Sequence, residues 1–345
     1  MLKTVVSFLE DTQTTYHCLT FCRKALKLDP SAFTCSFQVS DYGILSAIQK
    51  VMTTEDKCIR TELHKLNVYR AGDFFKAHVD TPRGPQMFGS LIICLPSAHN
   101  GGNLRISHGK KNVNIDWSEK SEDHIQWVAL YSDCEHEVKE VLGGYRVTLT
   151  YNLYADPLPG PRKSPLTHPN VVLKHTVLYQ TLVKALSLDS FMHDGGILGL
   201  SLQHRYPHVS EVFVKAPEMM LKGADAVIFA VAKQLGLETQ FVQVYYDSEL
   251  DQLDVQDVST MYENEEERGL DHLRNNFRLS CNVDYNDVTW CVQGSNFQEP
   301  GKIGSAYGNE PSVEVHYCVA ALLVVIPEWG EDRGKLLTAA EEDTV

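Results

Sequence analysis

The chain has no apolar run long enough to cross a bilayer. Its longest, Val319 to Pro327, falls well short of the ~20 residues a spanning helix needs. Basic charge is in deficit: 31 Lys and Arg stand against 45 Asp and Glu, for a net charge of −14. That imbalance argues against a nucleic-acid partner and against a membrane-surface one. Regular cysteine pairing is also missing. The nine cysteines, Cys18, Cys22, Cys35, Cys58, Cys94, Cys134, Cys281, Cys291 and Cys318, are odd in number and scattered. Reduced thiols in a cytoplasmic or nuclear protein are expected, not a disulfide framework. Cys18 and Cys22 have no second pair at zinc spacing, so a zinc finger is not expected. No secretory leader is legible in the first residues.

What is present is the make-up of a globular protein, with 43 % apolar and 22 % charged residues. Its 345 residues leave room for one large domain or two ordinary ones. The first half reads as short strands punctuated by glycine. Tyr16 to Leu28 suggests a short helix closed by Asp29-Pro30, and Ser40-Asp41 announces a helix over Tyr42 to Val51. Strands are expected over Ile59 to Tyr69, Met87 to Leu95, Asn103 to Ile106 and Trp127 to Tyr131. Met87 to Leu95 is apolar throughout, as for a strand covered on both faces. Glu135 to Val141 and Tyr145 to Leu153 flank Leu142-Gly143-Gly144 and read as a β-hairpin, in which a three-residue turn would set Thr150 opposite His136.

The prolines at 157, 159, 161, 165 and 169 mark residues 156–170 as a linker. Beyond it, residues 171–345 read as a mixed α/β region. Helices are expected over Val171 to Leu186 and Leu221 to Leu235, and strands over Ile197 to Leu202, Phe241 to Tyr246 and Tyr317 to Ile326. Glu263 to Arg268 reads as a solvated loop, and Tyr307 to Glu310 gives a weak echo of the segment around Tyr131. This region either completes a substrate pocket or is a degenerate repeat.

Chemistry concentrates in His78-Val79-Asp80. Residues two apart on a strand face the same way, so an imidazole and a carboxylate enter one cavity. A second histidine from a neighbouring strand completes a two-His, one-carboxylate face with open metal positions. His136 is the candidate. Ten residues later, Arg146 and Thr148 share a strand face and offer a guanidinium fork and a hydroxyl to a carboxylate. Arg146 has an alternative in an ion pair with Glu140 or Asp133, and Tyr69 in plain packing. His99 and His108 are expected in exposed loops, and His204 and His208 in structural roles.

Taken together, Tyr69-x2-Gly72-x2-Phe75-x2-His78-x-Asp80, Gly101-Gly102-x-Leu104, Trp127-x2-Leu130-Tyr131-x-Asp133-x2-His136-x-Val138 and Gly144-x-Arg146-x-Thr148 resemble the 2-oxoglutarate/Fe(II) oxygenases. The resemblance is to their prolyl-4-hydroxylase-like subgroup, particularly its fungal members, and covers roughly residues 40–155. It implies a mainly β, α+β protein whose catalytic core over residues 1–155 is a double-stranded β-helix, or jelly roll. It implies Fe(II) on His78, Asp80 and His136, with 2-oxoglutarate and O2 as co-substrates. The far carboxylate of 2-oxoglutarate falls to Arg146, with Thr148 and Tyr69 beside it. The implied reaction oxidises an unactivated C–H bond by hydroxylation, desaturation or ring closure, releasing succinate and CO2. Prolyl hydroxylases of this subgroup commonly carry lysine where Arg146 stands. A small-molecule substrate is therefore expected, with a peptide as the alternative. A non-catalytic binding module and a cupin-like isomerase or lyase are the competing classes, and neither requires Arg146.

Overall fold

The computed structural model describes residues 6–8, 23–54, 57–84, 86–158, 172–207, 220–247, 252–257, 285–292 and 317–342. They fall into two compact units, one drawn mainly from residues up to Asp156 and the other mainly from Pro157 onward. The part of the proline-rich segment from residue 159 on, Glu263 to Arg268, Tyr307 to Glu310, His208 and Tyr16 to Cys22 lie outside the described residues.

In the first unit the strands are β1 (Val6–Phe8), β2 (Arg23–Lys24), β3 (Leu26–Leu28), β4 (Phe33–Cys35), β5 (Lys57–Arg70), β6 (Phe74–His78) and β7 (Met87–Cys94). They continue with β8 (His99–Gly101), β9 (Leu104–His108), β10 (Lys111–Ile115), β11 (Gln126–Tyr131), β12 (Glu135–Val138) and β13 (Val141–Pro157). Besides the two-stranded pair β1–β4, two larger sheets form: β10-β9-β12-β6-β2, and β11-β7-β13-β5-β3 with β8 alongside β13. One apolar cluster draws on both, with Phe75, Leu104 and Val138 from the first sheet and Tyr69, Ile92, Cys94 and Leu130 from the second. This is the jelly roll: two antiparallel sheets sharing a core between their inner faces. Every residue of β7 is buried, as its unbroken apolarity predicts.

Three expectations are corrected. Residues 23–28 are two short strands, not the end of a helix. His99 is buried on β8, not exposed in a loop. The hairpin does not exist. Both edges of β12 are taken, by β9 and β6, so Tyr145 to Leu153 has no edge there to pair with. The chain instead crosses between the sheets after Val138, and β13 runs between β7 and β5. Thr150 pairs with Ile92, and His136 with His78 and Ile106. Gly144 serves a close approach: it has φ +72°, and a Cβ on it would lie 2.1 Å from the Ala98 carbonyl oxygen.

The second unit has one sheet, ordered β16 (Gln252–Asp257), β15 (Glu238–Asp247), β18 (Tyr317–Ile326), β14 (Gly196–Pro207) and β17 (Val288–Val292). Among the described residues, the β14–β17 pair alone is parallel in this sheet. In β18 the alternation sorts Ala320, Leu322, Val324 and Ile326 onto the face shared with helices Val177–Leu186 and Gly223–Gln234, and Ala321 and Leu323 onto the other. Helix Val177–Leu186 starts at Thr176, whose hydroxyl accepts the Tyr179 amide at 3.2 Å, and buries Tyr179, Leu182 and Leu186. The register of β14 slips between Ser201 and Arg205. There the buried Asp225 carboxylate accepts the Gln203 amide (2.8 Å), the His204 amide and the Tyr206 hydroxyl (both 2.9 Å).

Candidate metal centre and anion site

His78 ends β6 and His136 sits opposite it on β12 as its register partner. Their rings are 4.3 Å apart between centroids. Asp80, just past β6, is placed by its own amide, which donates to the Ser132 carbonyl at 3.1 Å. Its Oδ2 accepts the Ser90 hydroxyl at 2.6 Å, and its Oδ1 stands 3.9 Å from His136 Nε2. One ligand atom from each of the three residues falls within 4.8 Å of the others, and all three residues are buried.

The histidines are held by the same local device. His78 Nδ1 bonds the Lys76 carbonyl at 2.8 Å and His136 Nδ1 the Cys134 carbonyl at 3.1 Å. A carbonyl only accepts, so each Nδ1 carries the proton and each Nε2 keeps its lone pair for a metal. Burial, reinforced by His136, pushes the His78 imidazole down to about 3 and keeps it in the neutral, ligating form. A β-bulge between the His136 and Val138 positions makes room for a third group. It brings Phe75, three residues before His78, onto the same face, where the two rings stack at 3.7 Å.

Arg146 and Thr148 enter the same cavity from β13, and Tyr69 from β5. The cavity opens to solvent, and its lining includes His78, Asp80, His136, Phe75, Ile92 and Val138. Arg146 is 1 % exposed, and neither its Nε nor its Nη2 has a hydrogen-bond partner. Its guanidinium lies 5.1 Å from the Trp117 ring centroid and 5.5 Å from that of Tyr69. Burial pushes the Cys94 thiol up, and burial together with Arg146 pushes His99 down, so neither of these two neighbours supplies a negative charge. Neither Glu140 nor Asp133 pairs with it; Asp133 instead faces His108 at 3.3 Å. A buried guanidinium with open donors is costly unless an anion arrives. Gly102 makes the space: a Cβ there would lie 2.9 Å from Arg146 Cδ.

The structure thus brings all six sequence-predicted residues into one cavity. It adds Arg23, His64, Lys65, Asn67, Ser90, Ile92 and Thr150, which carry no motif. Asn67, Ser90 and Thr150 are inward-facing polar residues on strands that otherwise read as core, and that is the one signal that marks them.

Two imidazoles and a carboxylate that could hold a metal ion thus stand beside a guanidinium with open donors. The 2OG-Fe(II) oxygenase superfamily model matches residues 64–154, the segment that spans these residues. Domains of this kind use Fe(II), 2-oxoglutarate and O2, and the donor set and the two open Arg146 nitrogens suit them. No curated protein matches the chain. Among solved structures, the chain is similar to an oxidoreductase of the 2OG-Fe(II) oxygenase family from Burkholderia pseudomallei, at 18 % identity, over 28 % of this chain and 44 % of that one (TM-score 0.23). It is similar to a Pseudomonas putida prolyl-4-hydroxylase at 17 % identity, over 39 % and 73 % (TM-score 0.26). It is also similar to a Trichoplax adhaerens prolyl hydroxylase in complex with a hypoxia inducible factor peptide fragment, at 22 % identity, over 29 % and 47 % (TM-score 0.23). The chain thus spans less than half the length of the first and third of these proteins. Among the described residues no helix is long and apolar enough to cross a membrane.

Proposed function

We propose that this protein is an Fe(II)- and 2-oxoglutarate-dependent oxygenase of the prolyl-4-hydroxylase-like kind that oxidises an unactivated C–H bond of a small molecule. The observation that carries the reading is the pairing, in one cavity, of the His78, Asp80, His136 cluster with a buried Arg146 whose Nε and Nη2 have no partner. When bound, Fe(II) with 2-oxoglutarate supplies oxidising power from O2, with release of succinate and CO2.

The chain's own residues prepare that chemistry. His78 and His136 would offer their Nε2 atoms and Asp80 a carboxylate oxygen, while the Lys76 and Cys134 carbonyls and the Ser90 hydroxyl fix their orientation. Three protein ligands leave coordination positions for co-substrates. Arg146 takes the far carboxylate of 2-oxoglutarate through two charge-assisted bonds, with the Thr148 hydroxyl and the Tyr69 ring beside it. Phe75, Ile92 and Val138 exclude water around the metal. The test is succinate formation from 2-oxoglutarate by the full chain, with and without Fe(II), across amino acids, metabolites and peptides. Iron-dependent succinate stimulated by a small molecule supports the reading. Stimulation by peptides alone moves the substrate class, and no iron-dependent succinate refutes the activity.

A further inference from the structure

A second guanidinium lines the same cavity. Arg23 lies on β2, paired to β6 through Arg23↔Phe75. Its guanidinium carbon sits 4.7 Å from the Phe75 ring centroid, and Phe75 in turn stacks on His78. Arg23 is therefore one aromatic layer away from a metal ligand. Nη2 of Arg23 donates to Asn67 Oδ1, and Asn67 Nδ2 donates to Thr150 Oγ1 at 3.2 Å. That relay anchors one end of the fork to β5 and β13. Nε of Arg23 is buried and has no hydrogen-bond partner, and no described carboxylate lies within ion-pair distance of the group.

Charge balance shows what is missing. Fe(II) with the Asp80 carboxylate carries one positive charge, and Arg146 adds another. The two carboxylates of 2-oxoglutarate neutralise both. Arg23 and Lys65 also line the cavity, and Arg23 is an anchored cation with an open buried donor, facing a cavity whose only carboxylate among the described lining residues belongs to the metal site. A buried donor left without a partner is costly in the free protein, and the cost is recovered when a fitting anion takes it. The planar fork suits a carboxylate.

We propose that Arg23 receives a carboxylate of the substrate being oxidised, so that the enzyme acts on small organic acids and discriminates against their neutral counterparts. The proposal rests on the oxygenase reading and narrows it, because an internal peptide segment has no main-chain carboxylate to offer.

The test uses the full chain loaded with Mn(II) and saturating 2-oxoglutarate, which occupies Arg146. Free L-amino acids are titrated in parallel with their C-terminal amides, and paramagnetic relaxation of the probe protons reports both affinity and closeness to the metal. At least one acid should be relaxed and bound roughly tenfold or more tightly than its amide, as expected for one charged hydrogen bond. In Arg23→Gln the acid-to-amide ratio should fall towards one. Amides relaxed as well as acids, an unchanged ratio in the variant, or no acid relaxed at all would each overturn the proposal. The wild-type comparison stands even if the variant fails to fold. Failure of the oxygenase reading shows separately, as a chain that binds no Mn(II) or that binds it equally well after His78→Ala.

Discussion

His78 and His136 are direct register partners across two adjacent antiparallel strands, and a bulge one step further on stacks Phe75 against His78. The metal centre is therefore fixed by backbone pairing within one sheet, with only Asp80 supplied from beyond a strand end. Rigid placement of this kind keeps the ligand atoms together without a metal to gather them.

That geometry predicts how the site fails. His78→Ala and His136→Ala should each weaken Mn(II) or Fe(II) binding by more than about 100-fold, beyond the usual effect of changing a ligand's supporting partner. The far-ultraviolet circular dichroism should stay unchanged, because the strands pair through their backbones. Equilibrium dialysis checks the affinity, and two variants that retain wild-type binding would remove the metal assignment.

Arg146→Met should reduce 2-oxoglutarate affinity by about 100-fold or more, since two charged hydrogen bonds at roughly 1.5–3 kcal/mol each are lost. The same variant should be as stable as the wild type, or more so, in the absence of ligand, because it removes a buried and unmatched charge. Thermal unfolding separates the two effects: 2-oxoglutarate should raise the midpoint of the wild type and leave the variant unmoved. A ligand-dependent rise of equal size in both would count against the co-substrate site.

Much of this was legible in the sequence, and the limits are instructive. His78-Val79-Asp80 and the Arg146, Thr148 pair are local patterns with period two, and both appear where that period places them. The continuous apolarity of Met87 to Leu95 marked a strand covered on both faces, and every residue of β7 is buried. The β12–β13 connection was not legible. Gly143-Gly144 is equally compatible with a tight turn and with a close backbone approach, and only the occupation of both β12 edges decides between them. Arg23 was hidden because its strand is two residues long and its contacts, Asn67 and Phe75, are more than forty residues away.

In the second unit, Asp225→Ala should destabilise by about 3 kcal/mol or more. It strips acceptors from two main-chain amides and the Tyr206 hydroxyl at the β14 irregularity, and each unsatisfied buried donor costs roughly 1–3 kcal/mol. Urea unfolding followed by amide hydrogen exchange should show the loss at Gln203 and His204 first. Protection at those amides equal to wild type would show that another group satisfies them.

The last prediction concerns a residue with no chemistry of its own. Gly102 has φ +71°, which L side chains rarely adopt, and a Cβ there would stand 2.8 Å from Val141 Cγ2 and 2.9 Å from Arg146 Cδ. Val141 is buried and begins β13, so it has little room to give. The Arg146 side chain is the movable neighbour, and displacing it shifts the guanidinium away from where the far carboxylate of 2-oxoglutarate binds. Gly102→Ala should therefore cost about 1–2 kcal/mol in backbone strain. It should also weaken 2-oxoglutarate binding by roughly tenfold, the effect of losing one of two aligned hydrogen bonds. Metal affinity should be spared, because His78, Asp80 and His136 lie outside the contacts of that Cβ. Calorimetric titration of 2-oxoglutarate into the Mn(II)-loaded variant measures the first quantity, and Mn(II) titration alone the second. A variant that loses metal and co-substrate binding together would indicate general unfolding of the jelly roll, and one that keeps full 2-oxoglutarate affinity would show that Arg146 is not positioned by the space Gly102 leaves.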